Sequence, residues 1–364
     1  MTKIPVIDFA PFRSGSDAAA ARRAALEVGR AIRDNGFFYL RNSGISQARV
    51  DSMLATSGDL FGMEPDVKKQ RQWDGKMPVM GYVPREREAL DESRPADLKE
   101  CFNVPPPDEG LDAATLERIW PESEEIVRTE AESFAASCYA LGEQVFRAVA
   151  TSLELPEDYF AGSHSPGDQM LRLLHYFPDE QASKERQMGA GDHQDHGTLT
   201  LLFQDSAGGL EYFSPEGEWE GLPPVKDTVL VNAGDMLMRW TNGAVRSAPH
   251  RVLTTANHRY SIAYFFIPKM EVVLSVPATG EVAGTTDDPR PFTAEEFLLL
   301  RSLRRTERFY SKRGVDTTAK DLPKGLQDFR NLVASRLEVD ASSLADRLQQ
   351  FGHVEQIHLE ARGR

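Results

Sequence analysis

The spacing of the apolar residues changes part-way along the chain. Before residue 165 the apolar positions recur every three or four residues in several stretches, and the longest of these covers residues 122–153. That spacing places the apolar side chains on one face, so it predicts a long amphipathic helix packed on a core. Shorter helices are predicted over residues 17–34 and 46–61, the second with Ser46 as its cap. The apolar stripe of the long helix consists of Phe134, Cys138, Leu141, Val145 and Val149.

Short β-rich runs dominate the next part of the chain. Residues 169–177, 199–203 and 229–238 are rich in aliphatic and aromatic side chains and are bounded by Gly, Pro and Asp turns. Many short strands separated by such turns predict a jelly roll, an antiparallel double sheet that can hold a ligand between its layers. Two further strands, at residues 4–9 and 37–40, alternate with the N-terminal helices. The predicted fold class is α+β with a mainly β core, a double-stranded β-helix flanked by helices.

We expect a single catalytic unit with four parts. Residues 1–100 would form an α/β region that braces the sheet, and residues 101–165 the region of the long supporting helix. Residues 166–270 would form the jelly-roll catalytic core, and residues 271–364 a C-terminal helical extension. The extension would either cover the barrel or form a dimer contact, so the sequence leaves both a monomer and a homodimer open.

Composition narrows the class of protein. The chain has 364 residues, of which 40% are hydrophobic and 27% charged, as in a globular protein. It has no apolar run of membrane-spanning length and no N-terminal signal pattern, so we expect a cytoplasmic protein without membrane association. The formal net charge of −14 argues against nucleic-acid binding. Cys101 and Cys138 are too few and too far apart for a disulfide framework, which fits a reducing compartment.

Three residues of the β-rich part could hold a metal ion. His193 and Asp195 are two positions apart at the head of a predicted strand, where such side chains share a face. His250 would join them from a later strand. A lone histidine is more often structural, but two imidazoles and one carboxylate form a facial triad that leaves coordination positions open. Open positions of this kind suit non-haem Fe(II) that binds a co-substrate and O2.

A predicted anion site follows the third ligand along the chain. Arg259 and Ser261 are again two positions apart on a predicted strand. A guanidinium is permanently charged and binds a carboxylate through two parallel hydrogen bonds, and a nearby hydroxyl can add a third. The face that carries a metal ligand therefore also carries a clamp for an anion.

These motifs together resemble a known family. His-x-Asp at 193–195, Val-Asn-Ala-Gly-Asp-Met-Leu-Met at 231–238, Pro-His-Arg-Val at 249–252 and Arg-x-Ser at 259–261 occur in the order found in 2-oxoglutarate- and Fe(II)-dependent oxygenases of the isopenicillin N synthase-like group. The resemblance implies that the triad binds iron. It also implies that the Arg-x-Ser pair holds the distal carboxylate of 2-oxoglutarate.

The resemblance also suggests substrate-side residues. The family often has Asn-x-Tyr before a proline, with the tyrosine reaching the co-substrate or the substrate. Counting back from Pro178 places His175 and Phe177 at those positions, so the usual phenolic contact is missing and its replacement is open. The run at 97–103 is similar to the family's Asp-x-Lys-Glu segment near the pocket mouth. The predicted pocket residues are His175, Phe177, Tyr82 and Phe102, with Lys99 as a further candidate.

The resemblance implies an enzyme that oxidises a C–H bond of a small organic molecule, hydroxylation being favoured, with release of succinate and CO2. Its requirements would be Fe(II), 2-oxoglutarate and O2, because the cofactor carries the oxidative chemistry while the protein positions the reactants. Desaturation, ring closure or demethylation would use the same residues. Two alternatives stay open: an iron oxidase of the ring-closure type that dispenses with 2-oxoglutarate, and a non-catalytic jelly-roll binding protein.

Overall fold

The chain divides into two compact units, Met1–Met238 with Ala244–Pro268, and Arg239–Gly243 with Lys269–Arg364. The computed structural model describes residues 3–15, 17–72, 80–91, 94–105, 113–120, 125–182, 187–275, 291–311, 314–317, 319 and 322–360.

The strands of the described residues all belong to the first unit. They are β1 (Val6–Asp8), β2 (Phe37–Arg41), β3 (Gly81–Val83), β4 (Lys99–Val104), β5 (Met170–Tyr176), β6 (Ala190–His193), β7 (Leu199–Gln204), β8 (Leu210–Phe213), β9 (Trp219–Gly221), β10 (Thr228–Ala233), β11 (His250–Val252) and β12 (Arg259–Phe265).

The helices precede, separate and follow these strands. They are α1 (Ala10–Ser14), α2 (Ala18–Asp34), α3 (Gln47–Phe61), α4 (Pro65–Gln70), α5 (Ala113–Ile119), α6 (Glu125–Ser152), α7 (Asp235–Trp240), α8 (Ala294–Ser311), α9 (Lys324–Arg336) and α10 (Ala341–Glu360).

Two sheets enclose the interior of the first unit. The larger has the order β1-β2-β10-β7-β12-β5-β4-β3, and the smaller has the order β6-β11-β8-β9. Apart from the parallel β1–β2 pair, the paired strands run antiparallel. Leu174 and Ala263 of the larger sheet share one buried cluster with Leu210 and Val252 of the smaller sheet. This apolar layer between two sheets confirms the predicted jelly roll.

Helices cover the other face of the larger sheet. Helix α3 packs on β5 and β12, and α6 packs on β7 and α2. The apolar stripe predicted for residues 122–153 is buried in α6, where Phe134 meets Phe203 of β7 with ring centroids 5.1 Å apart. The long core-packed helix is therefore confirmed. Since both faces of β5, β7 and β12 are covered, most of their residues are buried, including polar ones.

One predicted strand ends earlier than its sequence pattern suggests. The run at 229–238 is a strand only as far as Ala233, and α7 begins at Asp235. The break lies at Gly234, where a Cβ atom would come within 2.3 Å of the carbonyl oxygen of Gly197. Only glycine permits that approach, so the chain turns away from the sheet there.

The second unit contains the C-terminal helices. Helices α8, α9 and α10 pack on one another, and Phe351 of α10 lies edge-on to Phe292 and Phe297. Arg347 of α10 forms a buried ion pair with Glu296 of α8. Among the residues described in either unit, no helix is long and apolar enough to cross a bilayer.

The contact between α6 and the end of β12 tests the packing of the first unit. A Cβ atom on Gly142 would lie 1.8 Å from the ring of the buried residue Phe266. We expect Gly142→Ala to lower the free energy of unfolding by about 1–3 kcal/mol because the ring must shift within a filled core. Gly58→Ala in α3 is the matched control: its Cβ meets no atom within 4 Å, so it should be neutral or stabilising. Equal urea midpoints for the two variants would contradict this packing.

Candidate active site

Two histidines face each other across the smaller sheet. His193 ends β6, His250 begins β11, and the two are cross-strand partners with ring centroids 4.3 Å apart. The Nδ1 atom of each ring lies beside a backbone carbonyl, Gly191 O at 2.8 Å and Ala248 O at 3.2 Å. In a neutral imidazole this assigns the proton to Nδ1. Both Nε2 atoms then carry the lone pair that a metal ion needs.

Asp195 lies in the turn after β6 rather than within the strand predicted to contain it. Its position is fixed from the larger sheet: Thr200 Oγ1 donates to Asp195 Oδ2 at 2.6 Å, and Asn232 Nδ2 donates to the same oxygen at 2.8 Å. Thr200 and Asn232 are cross-strand partners on β7 and β10. One carboxylate oxygen is thus held by the sheet, and Oδ1 is left facing the two histidines.

The three side chains have the geometry and charge of a metal site. Asp195 Oδ1 lies 3.9 Å from His193 Nε2 and 3.7 Å from His250 Nε2, and all three ligand atoms lie within 4.8 Å of one another. Burial and then the neighbouring His250 lower the pKa of His193 to about 3. Burial opposes ionisation of Asp195, but the two histidines and the two hydrogen bonds outweigh it and lower its pKa. A neutral imidazole and an ionised carboxylate, the protonation states that bind metal, are therefore favoured.

A buried arginine begins β12. Arg259 is 1% exposed; Nη1 donates to Ser261 Oγ at 3.3 Å and Nη2 to Gln204 Oε1 at 2.9 Å. Its Nε atom is buried without a hydrogen-bond partner, and no described carboxylate pairs with the guanidinium. Burying a charge without a counter-charge is costly, so this arrangement fits a site for a carboxylate ligand. Arg259 and Ser261 lie on one strand face, as expected.

The register of β5 corrects the expectation about its aromatic residues. Arg259 pairs with Tyr176, and the guanidinium carbon lies 4.6 Å from the centre of the tyrosine ring. Tyr176, rather than Phe177, therefore shares the interior face with the clamp. Counting back from Pro178 failed because backbone pairing, not distance from the proline, decides which side chains point inward.

The four predicted pocket residues lie on the opposite face from the triad. His175 pairs with Tyr260 and donates towards Glu100, and Phe177 packs against His175. The remaining two are next to the helices: Tyr82 donates its hydroxyl hydrogen to Glu100, and Phe102 packs against Trp120. We therefore correct the expectation that these side chains line the site, since strand alternation turns them away.

The interior face instead carries polar residues next to the triad, and only one of them, Lys99, was a candidate. Arg172 pairs with Asn103, and its Nε donates to Asn103 Oδ1 at 2.7 Å. Burial disfavours the charge of Arg172, but Glu88 and, more weakly, Asp195 raise its pKa. Lys99 donates to Asp97 at 2.6 Å. The pattern of alternation along β4 and β5 could have identified Arg172 and Asn103 once the face of Tyr176 was known.

Comparison with known families agrees with this geometry. A model of the 2-oxoglutarate–Fe(II) oxygenase superfamily matches residues 167–268, which include the triad and the clamp. A model described as the N-terminal region of a non-haem dioxygenase in morphine synthesis matches residues 4–123. The chain therefore belongs to the 2-oxoglutarate- and Fe(II)-dependent oxygenase superfamily.

Individual relatives identify the enzyme class. A 2-oxoglutarate-dependent dioxygenase of Monascus ruber is 32% identical over 315 residues, which cover 82% of this chain and 94% of the relative. The crystal structure of a full-length Neurospora crassa protein in complex with alpha-KG has 30% identity and a TM-score of 0.72, covering 82% of this chain and 95% of that chain. A second crystal structure of the same protein, in complex with alpha-KG and thymine, has 30% identity and a TM-score of 0.71, and the match covers 82% of this chain and 96% of that chain. The protein described here is a 2-oxoglutarate-dependent dioxygenase that uses Fe(II).

The support of Asp195 by Thr200 can be tested by an isosteric change. Thr200→Val removes the hydroxyl that orients the carboxylate, so we expect Fe(II) to bind on the order of 10-fold to 100-fold more weakly. Thr200→Ser keeps the donor and should bind Fe(II) nearly as the wild type does. Anaerobic metal titration measures both constants. Equal affinities for the two variants would show that this hydrogen bond does not position the ligand.

Proposed function

We propose that this enzyme hydroxylates a C–H bond of a small organic molecule. The observation that carries the proposal is the combination of a three-ligand site with a buried, uncompensated guanidinium on the same interior face. A dicarboxylate with a keto-acid end meets both requirements, since one end can chelate a metal ion and the other can pair with Arg259. When bound, Fe(II) with 2-oxoglutarate and O2 supplies the oxidising power, and succinate and CO2 leave as co-products.

Each residue has a defined part in this proposal. His193, Asp195 and His250 hold the metal ion, and their hydrogen bonds to Gly191, Thr200 and Ala248 fix the orientation of the ligating atoms. Arg259 and Ser261 bind the distal carboxylate. Tyr176, whose ring lies beside the guanidinium, supplies the phenolic contact. Because Asp195 keeps its carboxylate at the metal, no coordination position is opened for chloride, and hydroxylation is favoured over halogenation.

The substrate is proposed to be small and to carry a hydrogen-bond acceptor. Support comes from Arg172 and Asn103, which lie on the interior face: Asn103 is fully buried, and its Nδ2 has no partner among the described residues. An oxygen atom of a substrate could accept from this pair, whereas a purely apolar molecule would leave the donors unpaired. The Neurospora relative bound to thymine shows that a protein of this fold accommodates a small polar ring.

The cellular setting is proposed from the cysteines. Cys101 and Cys138 are both buried free thiols, and burial raises the pKa of Cys101 to about 11. Such thiols persist in a reducing compartment, which also keeps iron in the ferrous state. A cytoplasmic location fits both requirements.

Co-substrate consumption tests the proposed function. We expect Fe(II)-reconstituted protein to form succinate and consume O2 only when 2-oxoglutarate is present, and His193→Ala to abolish both. Arg259→Gln should weaken the binding of 2-oxoglutarate on the order of 100-fold, because a charge-assisted pair of hydrogen bonds is lost. Arg259→Lys keeps the charge but not the paired geometry, so its affinity for 2-oxoglutarate should lie between those of the wild type and Arg259→Gln.

Other outcomes favour the alternatives. Oxygen uptake that proceeds without 2-oxoglutarate would indicate an oxidase of the ring-closure type. Absence of metal-dependent turnover over a broad panel of small molecules, with Fe(II) bound, would favour a non-catalytic binding protein. Bound Zn(II) after purification would favour neither, because Zn(II) binds such sites more tightly than Fe(II).

A further inference from the structure

A buried polar cluster lies behind the carboxylate clamp, on the helix-covered face of the same strands. At its centre is Glu100 of β4, which is 2% exposed. The carboxylate accepts hydrogen bonds from His175 Nδ1 at 2.8 Å, from the Tyr82 hydroxyl and from Lys68 Nζ at 2.9 Å. Burial would raise the pKa of Glu100, but these three donors outweigh it and lower the pKa. Glu100 is therefore an anion that can only accept hydrogen bonds.

The cluster reaches the surface through a second histidine. His175 Nε2 lies 2.8 Å from His258 Nδ1, and His258 is exposed whereas His175 is buried. Because Glu100 only accepts, His175 uses its Nδ1 proton there, and its Nε2 accepts from His258 Nδ1–H when both rings are neutral. One added proton makes the pair a cation with both hydrogen bonds still formed. A second added proton would place two N–H groups against each other, so the pair can take up only one proton without losing this hydrogen bond.

Each histidine of the pair is next in the chain to a residue at the clamp. His175 precedes Tyr176 in β5, and His258 precedes Arg259 at the start of β12. Tyr260, between Arg259 and Ser261 in the chain, stacks on His175 with ring centroids 4.6 Å apart and an interplanar angle of 5°. A hydrogen bond therefore links exposed His258 to buried His175, which contacts the strand of Arg259 on the face opposite the guanidinium.

We propose that the His175–His258 pair is a proton-binding site that couples external pH to the affinity of the Arg259 clamp for 2-oxoglutarate. The proposal rests on the proposed function, because it assigns the distal carboxylate of 2-oxoglutarate to Arg259. An added positive charge on the pair would lie on the opposite face of the sheet from the bound carboxylate, at a separation on the order of one Debye length, about 10 Å. At that separation it should tighten binding of the anion about threefold to tenfold.

The groups around the pair set the pH range. Burial and then the neighbouring His175 lower the pKa of His258, while Glu100 and Glu180 oppose the change. The transition should therefore fall below the usual range of histidine. The charged and titratable groups that face the pair are Lys68 of α4, Tyr82 of β3, Glu100 of β4, Tyr260 of β12, Glu180, and Arg85, which lies over the ring of Phe177.

The charge of the pair determines the direction in which pH changes the affinity for 2-oxoglutarate. As the pH falls through the transition the pair gains a proton, the charge behind Arg259 becomes more positive, and 2-oxoglutarate binds more tightly. By linkage, bound 2-oxoglutarate must raise the pKa of the pair by the same factor. Above the transition the pair is neutral and the affinity should not depend on pH.

The test measures 2-oxoglutarate binding by calorimetry between about pH 8 and about pH 5, a range that extends from above to well below ordinary histidine titration. The Zn(II)-loaded protein is used because it binds without turnover. The wild type should bind about threefold to tenfold more tightly at the acidic end. His258→Gln, an exposed substitution that removes the proton site, should show no such gain. Histidine NMR on the same Zn(II) protein should show the pKa of the pair rising when 2-oxoglutarate is added.

A second variant keeps the pair intact and moves its titration. Glu180→Gln removes a carboxylate that favours the protonated pair, so the acidic transition should move to lower pH at an unchanged size. Superimposable pH profiles of the wild type and His258→Gln would overturn the proposal, as would a transition that Glu180→Gln leaves in place. Absence of 2-oxoglutarate binding at every pH would instead reject the proposed function, and the pH coupling with it.

Discussion

The antiparallel pairing of β12 with β5 and β7 decides which side chains reach the interior of the jelly roll. With Arg259 opposite Tyr176 and Ser261 opposite Gln204, the clamp points between the sheets and Tyr260 points to the helices. A slip of one residue would exchange these faces and bury the guanidinium against apolar helices. The register is held from both sides, since α3 covers β5 and β12 while the apolar layer between the sheets fills the other face.

Buried charge explains why the site has its particular neighbours. Asp195 and Arg259 are both nearly inaccessible, and each would be costly to bury alone. Thr200 and Asn232 satisfy one oxygen of Asp195 and leave the other for a metal ion. Gln204 and Ser261 accept hydrogen bonds from the two Nη atoms of Arg259. Its Nε atom has no partner among the described residues. In the proposed site, Fe(II) would complete the surroundings of Asp195, and the distal carboxylate of 2-oxoglutarate would complete those of Arg259.

The sequence predicts which residues form the metal and anion sites better than it predicts which side chains line the rest of the pocket. His193, Asp195 and His250 follow from motif spacing, and the shared face of Arg259 and Ser261 follows from strand alternation. The faces of His175 and Phe177 could not be counted from Pro178, because the pairing partner sets them. Asn232 lies in an Asn-Ala-Gly-Asp stretch, where asparagine side chains often bond their own backbone. In the structure it supports Asp195, a contact that depends on β7 and β10 being adjacent.

One interior face of the jelly roll is proposed to bind Fe(II) at the triad and 2-oxoglutarate between the metal and Arg259. The most direct measurement is the visible absorption of the anaerobic Fe(II) protein during titration with 2-oxoglutarate. A metal-to-ligand charge-transfer band should appear only when both are present, because it requires the keto-acid end to chelate the iron. Absence of the band with Fe(II) verifiably bound and 2-oxoglutarate in excess would contradict the account.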